Sequence, residues 1–322
     1  MIRGRFAPTP SGTMHLGNAK IALLSWLQVR AANGAFVLRI EDIDLQRSKP
    51  ELVEQIIADM KWLGLNWDEG PGQGGNYGPY TQSERLDRYE QALQELEHKG
   101  RLYPCYCSRA ELLQIAGAPH GLASEGPVYP GTCRKLTPQE REERALYKRP
   151  SIRFALQDEQ YEVQDGIAGV QLFPEASGGD FIVKRADGMY SYQLAVTVDD
   201  AAMGITHVLR GSDLLDSTPR QLALYEAFGW PPPQFAHAPL LMGEDGRRLA
   251  KRHGDLSLVQ LRRSGLPAER VIGWLAYISG LIDRPEPVQA SELVTGFTLD
   301  LISKSPFTLT SQMVQQLLAH TP

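Results

Sequence analysis

Strand-like and helix-like patterns alternate at the start of the chain. An apolar run at residues 2–7 leads through a loop rich in Pro and Gly into a helical pattern from Leu16 to about Ala32, which ends at Asn33-Gly34. A second apolar run covers residues 35–40, and a second helical pattern extends from Pro50 to about Leu63. Strand, helix, strand and helix in this order predict an α/β fold with a parallel sheet.

The pattern changes in the middle of the chain and then returns. A helical pattern at 83–98 precedes an irregular stretch that begins at Tyr103 and carries only short β-like runs. The alternation resumes with an apolar strand at 206–209 and a helical pattern at 219–228, and the residues from Ser257 onward are helical in pattern. The predicted organisation is a first half of the sheet domain at 1–102, an insertion at 103–187, a second half of the sheet domain at 188–240, and a loop with a small helical domain at 241–322.

Composition describes an ordinary folded protein. The 322 residues are 42% hydrophobic and 22% charged, and 33 basic against 38 acidic residues give a net charge of −5. A nucleic-acid partner would therefore have to bind a local basic patch. The apolar runs are short, and no apolar segment follows the N-terminus, so we expect a cytoplasmic protein without signal peptide or membrane span.

The loop after the first predicted strand carries the first candidate chemistry. Residues 10–18, Pro-Ser-Gly-Thr-Met-His-Leu-Gly-Asn, precede a helix N-terminus, where free backbone N–H groups and the helix dipole favour a phosphate. His15 can donate a hydrogen bond to a phosphoryl oxygen, Gly17 allows a ligand to approach the backbone, and Asn18 can contact a nucleotide. Taken alone, a histidine at this place also fits a simple helix cap.

A basic loop lies about 230 residues later in the chain. Residues 246–254 place four basic side chains, those of Arg247, Arg248, Lys251 and Arg252, between two glycines. Such a loop can close over a triphosphate, although a solvated basic loop has the same composition.

Together the two loops resemble the paired signatures of the class I aminoacyl-tRNA synthetases, His-Ile-Gly-His and Lys-Met-Ser-Lys-Ser. The resemblance is closest to the glutamyl branch, covers essentially residues 1–250, and includes the motifs at 5–12, 15–17, 39–44 and 204–211. It implies a Rossmann-like sheet and ATP-dependent activation of L-glutamate to glutamyl-adenylate, with Mg²⁺, followed by transfer to RNA. At 248–252 the chain reads Arg-Leu-Ala-Lys-Arg, so two hydroxyls and the first lysine of the family pattern are absent, while Lys251 keeps the position expected at the ATP phosphates.

The substrate chemistry agrees with these motifs. Glutamate has two carboxylates and one ammonium group, which call for arginines and an opposing carboxylate. Arg5 and Arg210 stand at the ends of two predicted strands and Glu41 at the end of another, although Arg5 and Glu41 would also fit a structural ion pair. The resemblance implies glutamate binding by Arg5, Ala7, Thr9, Glu41, Tyr192 and Arg210, ATP binding by His15, Gly17, Asn18, Arg248 and Lys251, and catalytic roles for His15, Gly17 and Lys251.

All three cysteines of the chain lie close together in sequence. Cys105, Cys107 and Cys133 are too few and too clustered for a disulfide framework, and a shared structural zinc explains them better. The fourth ligand is open between His120 and Tyr129, and ordinary zinc chemistry favours the histidine. The short paralogues of the glutamyl branch carry Cys-x-Cys followed by Tyr-x-x-x-Cys, and this resemblance implies Tyr129.

The length of the chain bears on which RNA position accepts the glutamate. Only residues 252–322 follow Lys251, so we expect no anticodon-binding domain. The resemblance is then to the truncated paralogues, the glutamyl-queuosine tRNA(Asp) synthetases, which attach glutamate to the queuosine base in the anticodon of tRNA(Asp), and we expect a monomer. Two alternatives stay open: a synthetase that charges the tRNA 3′ end, and a non-catalytic zinc-containing RNA-binding relative. Basic residues that can contact RNA phosphates are Arg134, Lys135, Arg141, Arg144, Lys148 and Arg149.

Overall fold

The computed structural model describes residues 1–108, 111, 129–157, 160–174, 179–249 and 256–319. The strands are β1 (Arg3–Phe6), β2 (Ala35–Leu38), β3 (Leu102–Cys105), β4 (Ser151–Phe154), β5 (Tyr161–Asp165), β6 (Gly169–Phe173), β7 (Phe181–Lys184), β8 (His207–Gly211), β9 (Gln234–Ala238), β10 (Leu241–Gly243) and β11 (Phe307–Leu309). The α-helices are α1 (Leu16–Ala31), α2 (Pro50–Trp62), α3 (Leu86–His98), α4 (Pro138–Ala145), α5 (Tyr192–Ala202), α6 (Thr218–Phe228), α7 (Leu258–Arg263), α8 (Ala268–Ser279) and α9 (Ser311–Leu318).

A four-stranded parallel sheet with the order β2-β1-β8-β9 organises the structure. The side chains of each strand enter two apolar layers in turn, because successive side chains of a strand point to opposite faces of the sheet. Phe36 and Leu38 join the core that contains α1, whereas Val37 packs with Val208 and Phe235 in a separate cluster. The predicted α/β fold with a parallel sheet is confirmed.

Helix α1 lies at the centre of the larger core. Leu23 and Leu27 of this helix are fully buried, together with Leu258 of α7 and with Val271 and Leu275 of α8. The helices after residue 257 therefore share one apolar core with the parallel sheet. The prediction of an all-helical tail was wrong at residues 307–309, which form β11 and pair in parallel with β10. Three residues are too few to produce a recognisable alternation.

Two elements that position the site were not predicted. Helix α5 is buried on nearly every side, and its polar residues Gln193, Thr197, Asp199 and Asp200 are buried as well, so they do not mark the solvent-exposed face of an amphipathic helix. Strand β9 follows three prolines and is short, and four of its five residues are buried, which removes the alternation typical of a half-exposed strand.

The middle of the chain forms two small antiparallel units. Strands β3, β4 and β7 form a three-stranded sheet, and β5 and β6 form a hairpin. The hairpin lies against β9 of the parallel sheet, where Gly166 donates a backbone hydrogen bond to the carbonyl of Phe235 at 2.9 Å. The insertion is therefore connected to the sheet that it interrupts.

Asp59 in α2 is a buried carboxylate whose replacement should change the stability of the folded protein. Its carboxylate is fully buried and accepts no hydrogen bond from the described residues, and Arg262 of α7 lies 3.5 Å away. Burial raises the pKa of Asp59 to about 6, against the effect of Arg262. Because the charged form is disfavoured in the folded state, we expect Asp59→Asn to raise the free energy of unfolding at pH 7 by about 1–3 kcal/mol in urea titrations.

The pH dependence supplies the control for this prediction. The folded state holds a proton that the unfolded state releases between about pH 4 and pH 6, so the wild-type protein gains stability as the pH falls through that window. The advantage of Asp59→Asn should therefore shrink toward pH 4. Asp300→Asn, at an exposed position, should change nothing. A less stable Asp59→Asn variant at pH 7 would contradict the account.

Candidate functional site

The carboxyl ends of the parallel strands open into a cavity of about 510 Å³. In open α/β sheets this edge is where ligands bind, because loops from several strands converge there. Every predicted binding residue that the structure describes lines the cavity: Arg5, Ala7, Thr9, His15, Gly17, Asn18, Glu41, Tyr192, Arg210 and Arg248. Lys251, and His120 as the alternative zinc ligand, lie outside the described residues.

His15 caps the N-terminus of α1 and has a defined proton position. Its Nδ1 accepts the backbone N–H of Gly17 at 3.0 Å, and Asn18 Oδ1 accepts the N–H of His15 at 3.2 Å. With Nδ1 as acceptor, the neutral ring carries its proton on Nε2 and is a donor there. A Cβ at position 17 would lie 2.9 Å from His15 Cε1, so any other residue there would displace the imidazole ring. The capping and functional interpretations of His15 are therefore compatible.

A buried ion network supports the cavity from below. Asp200 at the end of α5 accepts hydrogen bonds from Arg5 at 3.2 and 3.3 Å and from Arg39 at 2.6 Å, and Arg39 also contacts Glu41 at 3.0 Å. Burial opposes the ionised form of Asp200, but Arg39 and Arg5 more than offset it and hold the pKa of Asp200 below its usual value. Arg5 and Glu41 therefore share one network, but Arg5 pairs with Asp200 and Glu41 with Arg39.

Glu41 remains available to a cation. The described hydrogen bond to its carboxylate comes from Arg39 alone, and burial raises the pKa of Glu41 despite the nearby Arg39 and Arg5. A bound ammonium group would lower that pKa again by Coulomb attraction. Glu41 is thus arranged to bind a positively charged ammonium group more strongly than a neutral group.

Arg210 is a buried cation without a carboxylate partner among the described residues. Its guanidinium donates to His237 Nε2 and Gln221 Oε1, both at 2.8 Å, to Thr218 Oγ1 at 3.1 Å and to the Leu214 carbonyl at 3.3 Å. All of these acceptors are neutral. Burial lowers the pKa of Arg210, as expected for a cation that lacks a counter-ion.

The buried network beneath the cavity has no carboxylate to spare for Arg210. In that network the carboxylates of Glu41, Asp199 and Asp200 pair with Arg5, Arg39 and Arg85. Arg210 forms no ion pair with the described residues. A zwitterion with a second carboxylate has a net charge of −1 and would supply Arg210 with a counter-ion.

Lys20 and Asp200 are functional candidates that sequence reasoning missed. Lys20 on α1 lines the cavity, donates to the Pro239 carbonyl at 2.9 Å, and has a pKa lowered to about 8 by burial. Both lie in helical segments that are otherwise rich in apolar residues, where a buried charged side chain needs a hydrogen-bonding or ionic partner. That interruption of an apolar pattern was the available signal.

The two ends of the basic loop meet the cavity. Arg248 forms an ion pair with Asp213 at the cavity wall, and Leu249 pairs with Leu241 through the backbone at 2.9 Å. On the other side of the loop, Ser257 forms a β-bridge with His15. The described residues on either side of the basic loop therefore contact the cavity wall at Asp213 and Leu241 and the N-terminus of α1 at His15.

A second constellation lies around the cysteines. The sulfurs of Cys105, Cys107 and Cys133 lie within 4.8 Å of one another, and no disulfide joins them. The Tyr129 hydroxyl lies 3.5 Å from Cys105 Sγ and 3.8 Å from Cys107 Sγ, and Cys107 and Cys133 Sγ are 3.6 Å apart. Three sulfurs and one oxygen thus form a compact, largely buried group.

Across the described residues, the chain has no helix that is both long and apolar enough to span a membrane.

Comparison with known proteins identifies related chains. Residues 1–315 match the family of tRNA synthetases class I (E and Q), catalytic domain. The Glutamyl-Q tRNA(Asp) synthetase of Symbiobacterium thermophilum is 61% identical over 98% of both chains, and that of Nitratidesulfovibrio vulgaris is 51% identical over 88% of this chain and 87% of the relative. The crystal structure of a glutamate tRNA ligase from Elizabethkingia meningosepticum, in complex with its amino acid, matches 98% of this chain and 68% of that chain with a TM-score of 0.84 and 30% identity.

Proposed function

The chain belongs to the class I tRNA synthetases of the E and Q type, and we propose that it activates L-glutamate with ATP and transfers it to the queuosine base in the anticodon of tRNA(Asp). The observation that carries the proposal is the cavity that holds Arg210, a buried cation without a carboxylate partner among the described residues, together with the available carboxylate of Glu41. The names of two relatives that align with nearly the whole chain support the queuosine acceptor over the tRNA 3′ end.

The first step joins glutamate to the nucleotide. An α-carboxylate oxygen of glutamate attacks the α-phosphorus of ATP, the bond to the β-phosphate oxygen breaks, and pyrophosphate leaves. His15 donates from Nε2 to a phosphoryl oxygen as charge develops there, and the N-terminus of α1 adds backbone donors. Lys251 and Arg248 bind the phosphates, and Mg²⁺ that accompanies ATP neutralises part of their charge.

Binding of the amino acid orients the attacking group. Arg210 holds the side-chain carboxylate, Glu41 accepts the ammonium group, and Arg5 and Tyr192 complete the contacts, with Ala7 and Thr9 at the wall. The second step is attack by a hydroxyl of the queuosine cyclopentenediol on the activated carbonyl, and AMP leaves. This step needs chiefly an acceptor hydroxyl held in line, so one activation site serves either RNA position.

The acceptor is testable with labelled glutamate, ATP, Mg²⁺ and two tRNA pools, one with and one without queuosine. We expect acid-precipitable label only on the queuosine-containing pool, and the same amount after the 3′-terminal diol has been blocked. Label that depends on the free 3′ end and ignores queuosine would instead identify a short tRNA-charging synthetase. Absence of glutamate-dependent pyrophosphate release would favour a non-catalytic relative.

The cysteine group fits one structural zinc ion. With zinc–sulfur bonds of about 2.3 Å and a zinc–oxygen bond of about 2.0 Å, a tetrahedron has sulfur–sulfur edges of about 3.8 Å and sulfur–oxygen edges of about 3.5 Å. The distances of 3.6 Å between Cys107 and Cys133 and of 3.5 and 3.8 Å to the Tyr129 hydroxyl agree with these edges. Cys105, Cys107, Tyr129 and Cys133 are the proposed ligands.

Zinc content distinguishes the two proposed fourth ligands. Purified wild-type protein should contain one zinc per chain by elemental mass spectrometry, and Cys133→Ser should lose it. We expect Tyr129→Phe to lower the zinc content and His120→Ala to leave it at one zinc per chain. The reason is that the distances from the Tyr129 hydroxyl to two of the sulfurs match those between neighbouring ligands of one zinc ion. Full zinc in Tyr129→Phe with loss in His120→Ala would reverse the assignment.

The domain boundaries, the absence of an anticodon-binding domain, the monomeric state and the cytoplasmic location stay predictions. Sedimentation of the full chain tests the monomer directly.

A further inference from the structure

Two buried groups that the proposed mechanism does not use, Asp165 and His237, continue a hydrogen-bonded series behind Arg210. Asp165 Oδ2 contacts His237 Nδ1 at 2.5 Å, and His237 Nε2 accepts from Arg210 Nε at 2.8 Å. The three residues belong to the β5–β6 hairpin, to β9 and to β8, and each is less than a tenth exposed. The hairpin of the insertion is thereby linked to the amino-acid site.

The hydrogen bonds among Arg210, His237 and Asp165 determine which ring nitrogen of His237 carries the proton. An arginine Nε–H can only donate, so His237 must present an unprotonated Nε2 to Arg210. A neutral ring then carries its proton on Nδ1 and donates it to Asp165. Burial lowers the pKa of His237, which favours the neutral ring, although Asp165 acts in the opposite direction.

Asp165 is itself held rigidly as a carboxylate. Its Oδ1 accepts three backbone N–H groups, from Ala168 at 2.8 Å and from Ile167 and His237 at 3.0 Å each. Burial opposes ionisation, but the hydrogen bonds from His237 and from the backbone lower the pKa of Asp165. Oδ2 is therefore fixed as an acceptor toward His237.

We propose that Asp165 and His237 are positioning residues that orient the Arg210 guanidinium toward the carboxylate of bound glutamate by fixing the histidine tautomer. The inference rests on the proposed function, since it takes glutamate as the ligand of Arg210. The remaining acceptors of Arg210 bind its other nitrogens, so only His237 fixes the Nε edge. An arginine held in this way loses little freedom when the substrate carboxylate binds.

The competing explanation is that Asp165 only fastens the hairpin to β9. Gly166 is already packed closely there, since a Cβ at this position would lie 3.3 Å from Ala236 Cβ of β9. A purely structural Asp165 would affect stability and all kinetic constants alike. A positioning Asp165 would affect the KM for glutamate selectively.

Asp165→Asn separates the two explanations because it changes one atom. The three backbone donors at Oδ1 retain the amide oxygen, which leaves the NH₂ group facing His237 Nδ1. That group donates, so the ring proton moves to Nε2 and meets the Arg210 Nε–H donor. We expect the KM for glutamate to rise by about 10- to 100-fold, with the KM for ATP within about twofold of wild type.

His237→Gln provides the matched background. A glutamine oxygen at the place of Nε2 accepts from Arg210 without any tautomer, so this variant should keep most of the glutamate affinity. Asp165→Asn should then have little further effect in the double variant. Kinetic constants come from glutamate-dependent pyrophosphate exchange, and glutamate affinity and melting temperature are measured on the same preparations.

Each outcome bears on a defined claim. No glutamate binding by the wild-type protein in calorimetry would refute the proposed function, and the positioning inference with it. Wild-type binding that Asp165→Asn leaves unchanged would overturn the positioning inference alone. An equal loss from Asp165→Asn in both backgrounds, or a fall in melting temperature with no change in the glutamate KM, would assign Asp165 to hairpin attachment instead.

Discussion

Replacing Arg210 with glutamine is expected to lower the kcat/KM for glutamate in pyrophosphate exchange by about 10³-fold. Arg210 is a buried cation at the cavity wall that forms no ion pair with the described residues, so a substrate carboxylate is its natural counter-ion. Truncating it removes a buried positive charge from the cavity wall and leaves that carboxylate desolvated without a partner. The KM for ATP should change little, because Arg210 lies at the amino-acid side of the predicted site.

Arg263→Gln is the matched control, because this arginine of α7 is exposed and does not line the cavity. It should retain wild-type exchange activity. A loss of less than about tenfold in Arg210→Gln, with normal folding, would mean that glutamate binds without this residue. A large effect confined to the KM for ATP would move Arg210 to the nucleotide side.

Replacing Asp200 with asparagine should cost about 3–5 kcal/mol of unfolding free energy and abolish glutamate activation. Asp200 accepts hydrogen bonds from both Arg5 and Arg39, and all three side chains are almost fully buried. Without the carboxylate, two adjacent guanidinium groups would remain in a low-dielectric site with too little negative charge. The measurement is urea denaturation followed by exchange activity below the onset of unfolding.

The pH dependence of this variant has a definite sign. The pKa of Asp200 is lower in the folded protein, so its stabilisation is present above the unfolded value near 3.8 and is lost as the pH falls below it. Wild type and Asp200→Asn should therefore converge in stability toward acid pH. Asp216→Asn, at an exposed position, should match wild type at every pH. An Asp200→Asn variant as stable as wild type at pH 7 would contradict the network account.

Much of the candidate site could be predicted because its residues stand directly after apolar strands. Arg5, Glu41 and Arg210 lie at or just beyond strand ends, and parallel strands place those ends at one edge of the sheet. His15 and Gly17 follow β1 in a loop before α1, where backbone donors are free. The roles of these residues toward glutamate and ATP remain predictions until the variants are measured.

Other contributors left little or no local signal. Asp165 and His237 are ordinary residues of short strands, and they join Arg210 only because the β5–β6 hairpin packs against β9. Asp200 belongs to a helix whose buried polar residues conceal its amphipathic pattern. Their importance depends on partners about 30 to 200 residues away, and hydrophobic periodicity carries no information about such pairs.

The sequence by itself determined the parallel α/β fold, the two loops of the synthetase family and the cysteine group, because each depends on local spacing that the chain displays directly. Tertiary structure decided which arginine is neutralised from within and which is left for a ligand. Asp200 pairs with Arg5 and Arg39, whereas Arg210 meets only neutral acceptors. The physical reason is that ion pairing depends on distance and burial in three dimensions, so identical side chains at similar strand ends acquire different charge environments only when the chain folds.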